Sequence, residues 1–249
     1  MANSFQVRAV NTAADSENRI HDNRIAAEYG FKSGLVPGVT IYGYMASAAI
    51  YHFGAKWLDR GAMDVRFFQP FYEGDPVVSA ITEMEYGRVK VDTGHAIATA
   101  WIENTALTAD IPALQPMPDR LAASREGIRT GLTLGTIEET LDLSRPGMSA
   151  PLDAWIGDER FAHPAILLAL ANEILLRNFI LGPWIHSASE VRNASHVLDG
   201  ERVQVRGKIV ETYERKGHEF VVLDVAILSG DRLASRIRHT AIWQPRKAV

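Results

Sequence analysis

The sequence predicts an α+β protein built from two copies of one unit, each a curved antiparallel sheet wrapped around a long apolar helix. Three observations carry this expectation. The first is an internal echo: Val65, Arg66, Gly74 and Val77 recur 126 residues later as Val191, Arg192, Gly200 and Val203. The same shift lays Glu73-Gly74-Asp75 over Asp199-Gly200-Glu201, Phe53 over Phe179, Ala100 over Ala226 and Leu107 over Leu233. Two copies cannot make a solenoid of short stacked repeats, so the expected product is a pair of domain-sized units. The second observation is one long apolar segment in each copy. The third is the set of short alternating segments that follows it.

The first apolar segment, Ser33 to Ala55, runs 23 residues without a charge, long enough to cross a bilayer. Its glycines, proline, histidine and hydroxyls make a poor spanning helix. Its partner, Phe161 to Leu181, carries Glu173 and Arg177 at i,i+4. A helix apolar on nearly all sides inside a globular protein is therefore expected, with no membrane role. After each helix come strand-like alternations such as Arg202-Val203-Gln204-Val205-Arg206, Leu223-Asp224-Val225 and Leu233 to Arg238. One face of such strands packs on a core and the other meets water, as in antiparallel sheets. Glu73-Gly74-Asp75, Asn104, Asp199-Gly200 and Ser229-Gly230-Asp231 supply the turns. Pro112, Pro116 and Pro118 stiffen the junction, Asp119 is placed to cap a short surface helix reaching Arg129, and Ile137, Leu141 and Leu143 read as a strand. The resulting division is a first unit over residues 1–117, a linker over 118–131 and a second unit over 132–249.

Composition narrows the classes of function. The chain has 249 residues, 47% hydrophobic and 22% charged, with a formal net charge of −4. These are values of a soluble globular protein with no bulk attraction for nucleic acid. It has no cysteine, which excludes disulfides, thiolate metal sites and a cysteine nucleophile. His163, His186, His196, His218 and His239 show no metal-ligand spacing and read as structural or surface groups, so no metal is expected. Residues 1–10 contain no apolar signal-peptide core, which makes the cytoplasm the expected location.

The candidate chemistry lies before the first helix. Asp15-Ser16-Glu17-Asn18-Arg19-Ile20-His21 is followed by Gly30-Phe31-Lys32-Ser33-Gly34-Leu35-Val36-Pro37-Gly38, and later by Val65-Arg66-Phe67 through Pro70 and Gly74-Asp75. These segments resemble the MaoC-like, R-specific enoyl-CoA hydratase family of hotdog-fold proteins. The match falls on Asn18, Ile20, His21, Gly30, Phe31, Val36 and Gly38, and covers residues 10–105 well and 155–243 more weakly. The resemblance implies a double hotdog that acts on an enoyl or 3-hydroxyacyl thioester of CoA or a carrier protein. It needs no cofactor, because the thioester itself acidifies the α-hydrogen. It implies a water held between a carboxylate and an imidazole, with His21 as the imidazole. Gly38, a glycine at a helix N-terminus, would offer its N–H to the developing enolate oxygen. Ser16, Asn18, Val36 and Pro37 would line the substrate.

The chain departs from the family at telling places. The acidic residue belongs five positions before the histidine, where Ser16 stands, and Asp15 lies six before it; a one-residue bulge would be needed to bring Asp15 to the site. Arg19 replaces a proline and Pro37 replaces a histidine. In the second copy Pro164 stands in the place of Gly38 and Gly147 in that of His21, so one site per chain is expected, with the second copy closing the pocket around the acyl chain. Two other readings stay open. One is a hotdog thioesterase using Glu173 in the second helix, or Asp22 near the first. The other is a non-catalytic acyl-thioester-binding protein. Association of two chains into a homodimer also remains open.

Overall fold

The computed structural model describes residues 4–107, 110–144, 155–156 and 159–247. In chain order the first half contains β1 (Ser4–Arg8), α1 (Asn23–Glu28), α2 (Gly38–Phe53), α3 (Trp57–Arg60), β2 (Gly61–Phe67), β3 (Pro76–Glu83), β4 (Val89–Asp92) and β5 (Ala96–Ile102). Then follow β6 (Leu121–Ala122), β7 (Ile137–Thr140), β8 (Trp155–Ile156), β9 (Glu159–Arg160), α4 (Pro164–Asn178), β10 (Phe179–Ile180), β11 (Ile185–Asn193), β12 (Arg202–Arg215), β13 (His218–Ser229) and β14 (Arg232–Gln244). Ten strands form one antiparallel sheet in the order β1-β3-β4-β5-β2-β11-β14-β13-β12-β7. From its middle outward the order is β2-β5-β4-β3-β1 on one side and β11-β14-β13-β12-β7 on the other. The two sides meet where Val65 pairs with Ser189 and Met63 with Val191.

Alternation in the sequence produces this sheet. Along β3, Val77 and Ser79 are buried while Pro76, Val78 and Ala80 face water, and β12 repeats the pattern with Val203, Val205 and Ile209 inside. The helices lie on the sheet's inner face and contact each other. In α2 every residue from Ile41 to Ala49 is buried, the environment expected of a segment apolar on all sides. Its hydroxyl at Ser47 donates back to the Gly43 carbonyl at 2.8 Å, whereas the Tyr42 hydroxyl is buried with no hydrogen-bond partner among the described residues. Among the described residues no helix is long and apolar enough to cross a membrane.

The 126-residue frame holds for α2 and α4, β2 and β11, and β3 and β12, and then breaks. Val65 pairs with Ala98, whereas its counterpart Val191 pairs with Ile237, so equivalent residues are by then 139 apart. The cause is the β12–β13 hairpin: its strands have 14 and 12 residues, against 8 and 4 in β3 and β4. The expected match of Ala100 to Ala226 is thus a coincidence, since Ala226 belongs to β13 and Ala100 to β5. The match of Leu107 to Leu233 fails for the same reason. No helix forms between Asp119 and Arg129 either. Leu121 and Ala122 pair in parallel with Phe179 and Ile180, and the Arg120 guanidinium donates to the Phe179 carbonyl at 3.1 Å. Ile128 is then buried by a turn in which its N–H reaches Ser124 O. Gly147, the counterpart of His21, lies outside the described residues.

Candidate active site

The loop before α1 is organised by two short side chains that cap helical turns. Asn18 starts one 3₁₀ turn, Arg19 to His21, and Asp22 caps α1 by accepting the Ile25 N–H at 2.9 Å. That bond holds the Asp22 carboxyl below its ordinary pKa, with Arg19 pairing at 2.8 Å. Asp22 therefore serves as a helix cap. The His21 carbonyl lies so close to Gly34 that a Cβ there would fall 2.0 Å from its oxygen, so only glycine lets the two loops meet.

The tautomer of His21 follows from its neighbours. The buried amide of Asn18 accepts the Trp184 N–H at 3.1 Å and donates to the Trp184 carbonyl at 3.0 Å. This fixes which end of the amide is nitrogen. The same Nδ2 stands 3.2 Å from His21 Nε2, which must then be the acceptor. On the other side His21 Nδ1–H donates to the Leu35 carbonyl at 2.7 Å. Burial lowers the His21 pKa, partly offset by the bond to Leu35, so the ring is neutral at pH 7 with its lone pair on Nε2.

His21 opens on a cavity of about 470 Å³ between the two halves of the sheet, within the range of small-ligand sites. Ser16, Asn18, Val36, Pro37 and Gly38 line it together with His21, so six of the seven sequence-predicted residues converge. Asp15 does not join them: it is exposed on the turn before Ser16 and outside the cavity lining. The reason is local. Ser16 N–H closes that turn onto the Ala13 carbonyl, and the side chain that reaches His21 is the Asn18 amide. Ser16 faces the cavity, its Oγ 3.4 Å from the Asn18 carbonyl. Among the described residues that line the cavity, the one carboxylate is Glu173 of α4, and it pairs with Arg177 at 2.7 Å.

Gly38 begins α2, and no side chain caps that terminus. Pro37 O accepts the Thr40 and Ile41 N–H groups, while Gly38 and Val39, whose N–H groups precede any intrahelical partner, both line the cavity. Behind Gly38 stands a group that reads in the sequence as structural or surface. His186 lines the cavity from β11, and its Nε2 is 2.8 Å from Ser189 Oγ, which in turn is 3.0 Å from His239 Nδ1. A signal for it was present in β14, where alternation puts His239 on the same inward face as Ile237 and Ala241. A histidine on an apolar face needs a polar partner, and that partner leads to His186.

An antiparallel sheet holding two buried helices, with a cavity at a helix N-terminus, defines a hotdog-fold protein. No family model and no curated protein matches the sequence. Solved structures do match. A Chloroflexus aurantiacus protein described as a MaoC domain dehydratase superposes with a TM-score of 0.62 at 10% identity, covering 97% of this chain and 93% of that one. A Mycobacterium tuberculosis protein described as a double hotdog gives 0.61 at 12% identity, covering 95% and 93%. A Thermobifida fusca protein described as a thioesterase II gives 0.55 at 13% identity, covering 100% and 94%. The chain thus shares the hotdog fold of MaoC-like dehydratase and thioesterase proteins, and at these identities the likeness is one of fold.

Proposed function

We propose that this chain binds an acyl thioester in the 470 Å³ cavity and interconverts an enoyl thioester with its 3-hydroxyacyl hydrate. The observation that carries this reading is the fixed tautomer of His21, whose basic Nε2 shares the cavity with the uncapped start of α2. In hydration, the Asn18 amide must release Nε2, which then takes a proton from water as the water oxygen bonds to the β-carbon, and delivers that proton to the α-carbon. In dehydration it takes the α-proton and returns it to the departing hydroxyl. One imidazole can do both, because it begins and ends neutral. The N–H groups of Gly38 and Val39 would meet the thioester oxygen as it gains enolate charge. Asn18 takes the carboxylate's place as the group that orients His21. The mirrored strand order supports two hotdog units, 1–117 and 132–249, joined by 118–131, with the second unit walling the acyl chain through α4.

Hydrolysis of the same thioester is the second reading, favoured by Glu173, a carboxylate in the cavity lining that could activate water. One experiment separates the readings. The purified protein is given 2-enoyl-CoA substrates of increasing chain length while enoyl absorbance and free thiol are followed together. Loss of absorbance without thiol, abolished by His21→Ala, is the expected result. Thiol release that survives His21→Ala and is lost in Glu173→Gln would replace hydration with hydrolysis. Tight binding with neither signal would make the chain a binding protein.

A further inference from the structure

We infer that His186 is a second hydrogen-bond donor for the thioester carbonyl, delivered to the mouth of α2 by the opposite half of the molecule. This rests on the acyl-thioester reading above. His186 is buried, and its Nδ1 has no hydrogen-bond partner among the described residues. A polar atom left unpaired in an interior is costly and calls for an explanation. This atom is also aimed at a particular place: a Cβ on Gly38 would lie 2.7 Å from it. It therefore abuts the residue whose N–H heads the helix, at the end of the cavity that both residues line. Nδ1 is covered by Gly38, so a small turn of the ring would be needed for a carbonyl oxygen seated on that first turn to give it the partner it lacks.

The relay behind His186 allows Nδ1 two forms, which differ in where the unpaired donor lies. Ser189 Oγ carries one proton and stands between His186 Nε2 and His239 Nδ1, so it donates to one ring and accepts from the other. If it donates to His239, that ring carries its proton on Nε2, which is buried without a partner. If it donates to His186, the His239 proton lies on Nδ1 and is satisfied, and His186 carries its proton on Nδ1. Each arrangement leaves one donor and one acceptor unpaired, and a carbonyl oxygen on the first turn of α2 would select the second, because there the unpaired donor is His186 Nδ1–H. Both rings stay neutral. Burial and the neighbouring His239 hold the His186 pKa well below its ordinary value against an opposing Ala188 carbonyl, and burial takes His239 to about 3. Phe67 packs edge-on against the His186 ring, with centroids 4.7 Å apart.

Two CoA analogues test the inference. One keeps the carbonyl and replaces sulfur with methylene; the other is an S-alkyl-CoA of the same length without a carbonyl. Their dissociation constants are measured on the wild type and on His186→Gln, whose amide can replace Nε2 toward Ser189 but puts nothing at Nδ1. The variant is expected to bind the ketone analogue roughly tenfold or more weakly while binding the thioether unchanged. Equal losses for both analogues, or no loss for either, would overturn the role of His186. Failure of the wild type to bind either analogue would instead remove the thioester reading and this inference with it. If His186→Gln does not fold, imidazole ¹⁵N spectra of the wild type decide: the ketone analogue should leave His186 protonated on Nδ1 and shift that proton, and the thioether should not. A lone pair on Nδ1 in the ketone complex would overturn the inference.

Discussion

The two buried helices begin in opposite ways, although α2 and α4 hold equivalent places in the 126-residue frame. The start of α4 is closed. Pro164 has no N–H to offer, and His163 caps the turn, its Nδ1 accepting the Ala165 N–H at 3.1 Å. The Nε2 of His163 then meets Ser47 Oγ at 3.2 Å, tying α4 to α2. The start of α2 is open: Pro37 provides no side-chain cap, Gly38 follows, and a cavity faces the turn. Since unsatisfied N–H groups at a helix start are an anion and carbonyl site in waiting, one end is built for stability and the other is free to bind. The two helix starts thus differ in what they leave unpaired.

The sharpest way to break this contrast is to remove His21, the base proposed beside the open end. His21→Ala is expected to lower hydration by roughly 10²- to 10⁴-fold, the usual weight of a positioned acid–base group. Thermal unfolding should change little, because His21 is only half-buried. Steady-state kinetics and a melting curve measured on the same preparation check both halves of the statement. Activity within tenfold of wild type would mean that the open end is not where the reaction occurs.

The buried histidines behind the two helix starts, His163 at the closed end and His239 behind the open one, should show themselves through pH. Burial lowers the pKa of His163 to about 4 and that of His239 to about 3. The unfolded chain takes up these protons near pH 6.5, whereas the folded chain refuses them until the folded values are reached. Stability therefore falls as pH drops through the window from about 6.5 to 4. At pH 5 each of these histidines costs about 2 kcal/mol relative to pH 7. Urea unfolding at the two pH values measures this loss, and the difference should shrink in His239→Gln. Equal stability at both values would show that these rings are not held neutral.

Gly38→Ala probes the open end sterically. The added methyl would lie 2.7 Å from His186 Nδ1, on a ring already held by Ser189 and Phe67. The expected cost is about 1–3 kcal/mol of stability, with weaker acyl-CoA binding. At the matching position in the closed end, Pro164→Ala should cost under about 1 kcal/mol and leave binding intact. Calorimetric titration of both variants with one acyl-CoA makes the comparison directly. If both bind like wild type, the difference between the helix starts has no bearing on ligand.

Legibility in the sequence followed the range of the interactions involved. The helices, the Gly turns and the strands β2, β3, β11 and β12 are set by local pattern and were visible as an echo. The longer β12–β13 hairpin was hidden, because Ala100 and Ala226 matched by chance across a shift in register. At the site, Asn18, His21 and Gly38 lie within one motif and were readable. That Asn18 rather than Asp15 would reach the His21 ring was not, since its position depends on Trp184, which lies 166 residues away. The trio of His186, Ser189 and His239 was scattered over two strands and forms only when β11 pairs with β14.

The smallest expected effect tests whether the second half contributes chemistry or only a wall. Glu173 is partly exposed at the cavity and paired with Arg177 four residues on, an arrangement worth about 0.2–0.5 kcal/mol in a helix. Glu173→Gln should therefore move stability by no more than that and leave hydration within about twofold, since Gln retains the shape and His21 retains the proton chemistry. The two observables are independent, so a large change in either is informative. A strong loss of turnover with unchanged stability would mean that the carboxylate acts on substrate despite its ion pair. The open end would then be shared between both halves, with a first-half imidazole and a second-half carboxylate facing one thioester across the seam between β2 and β11.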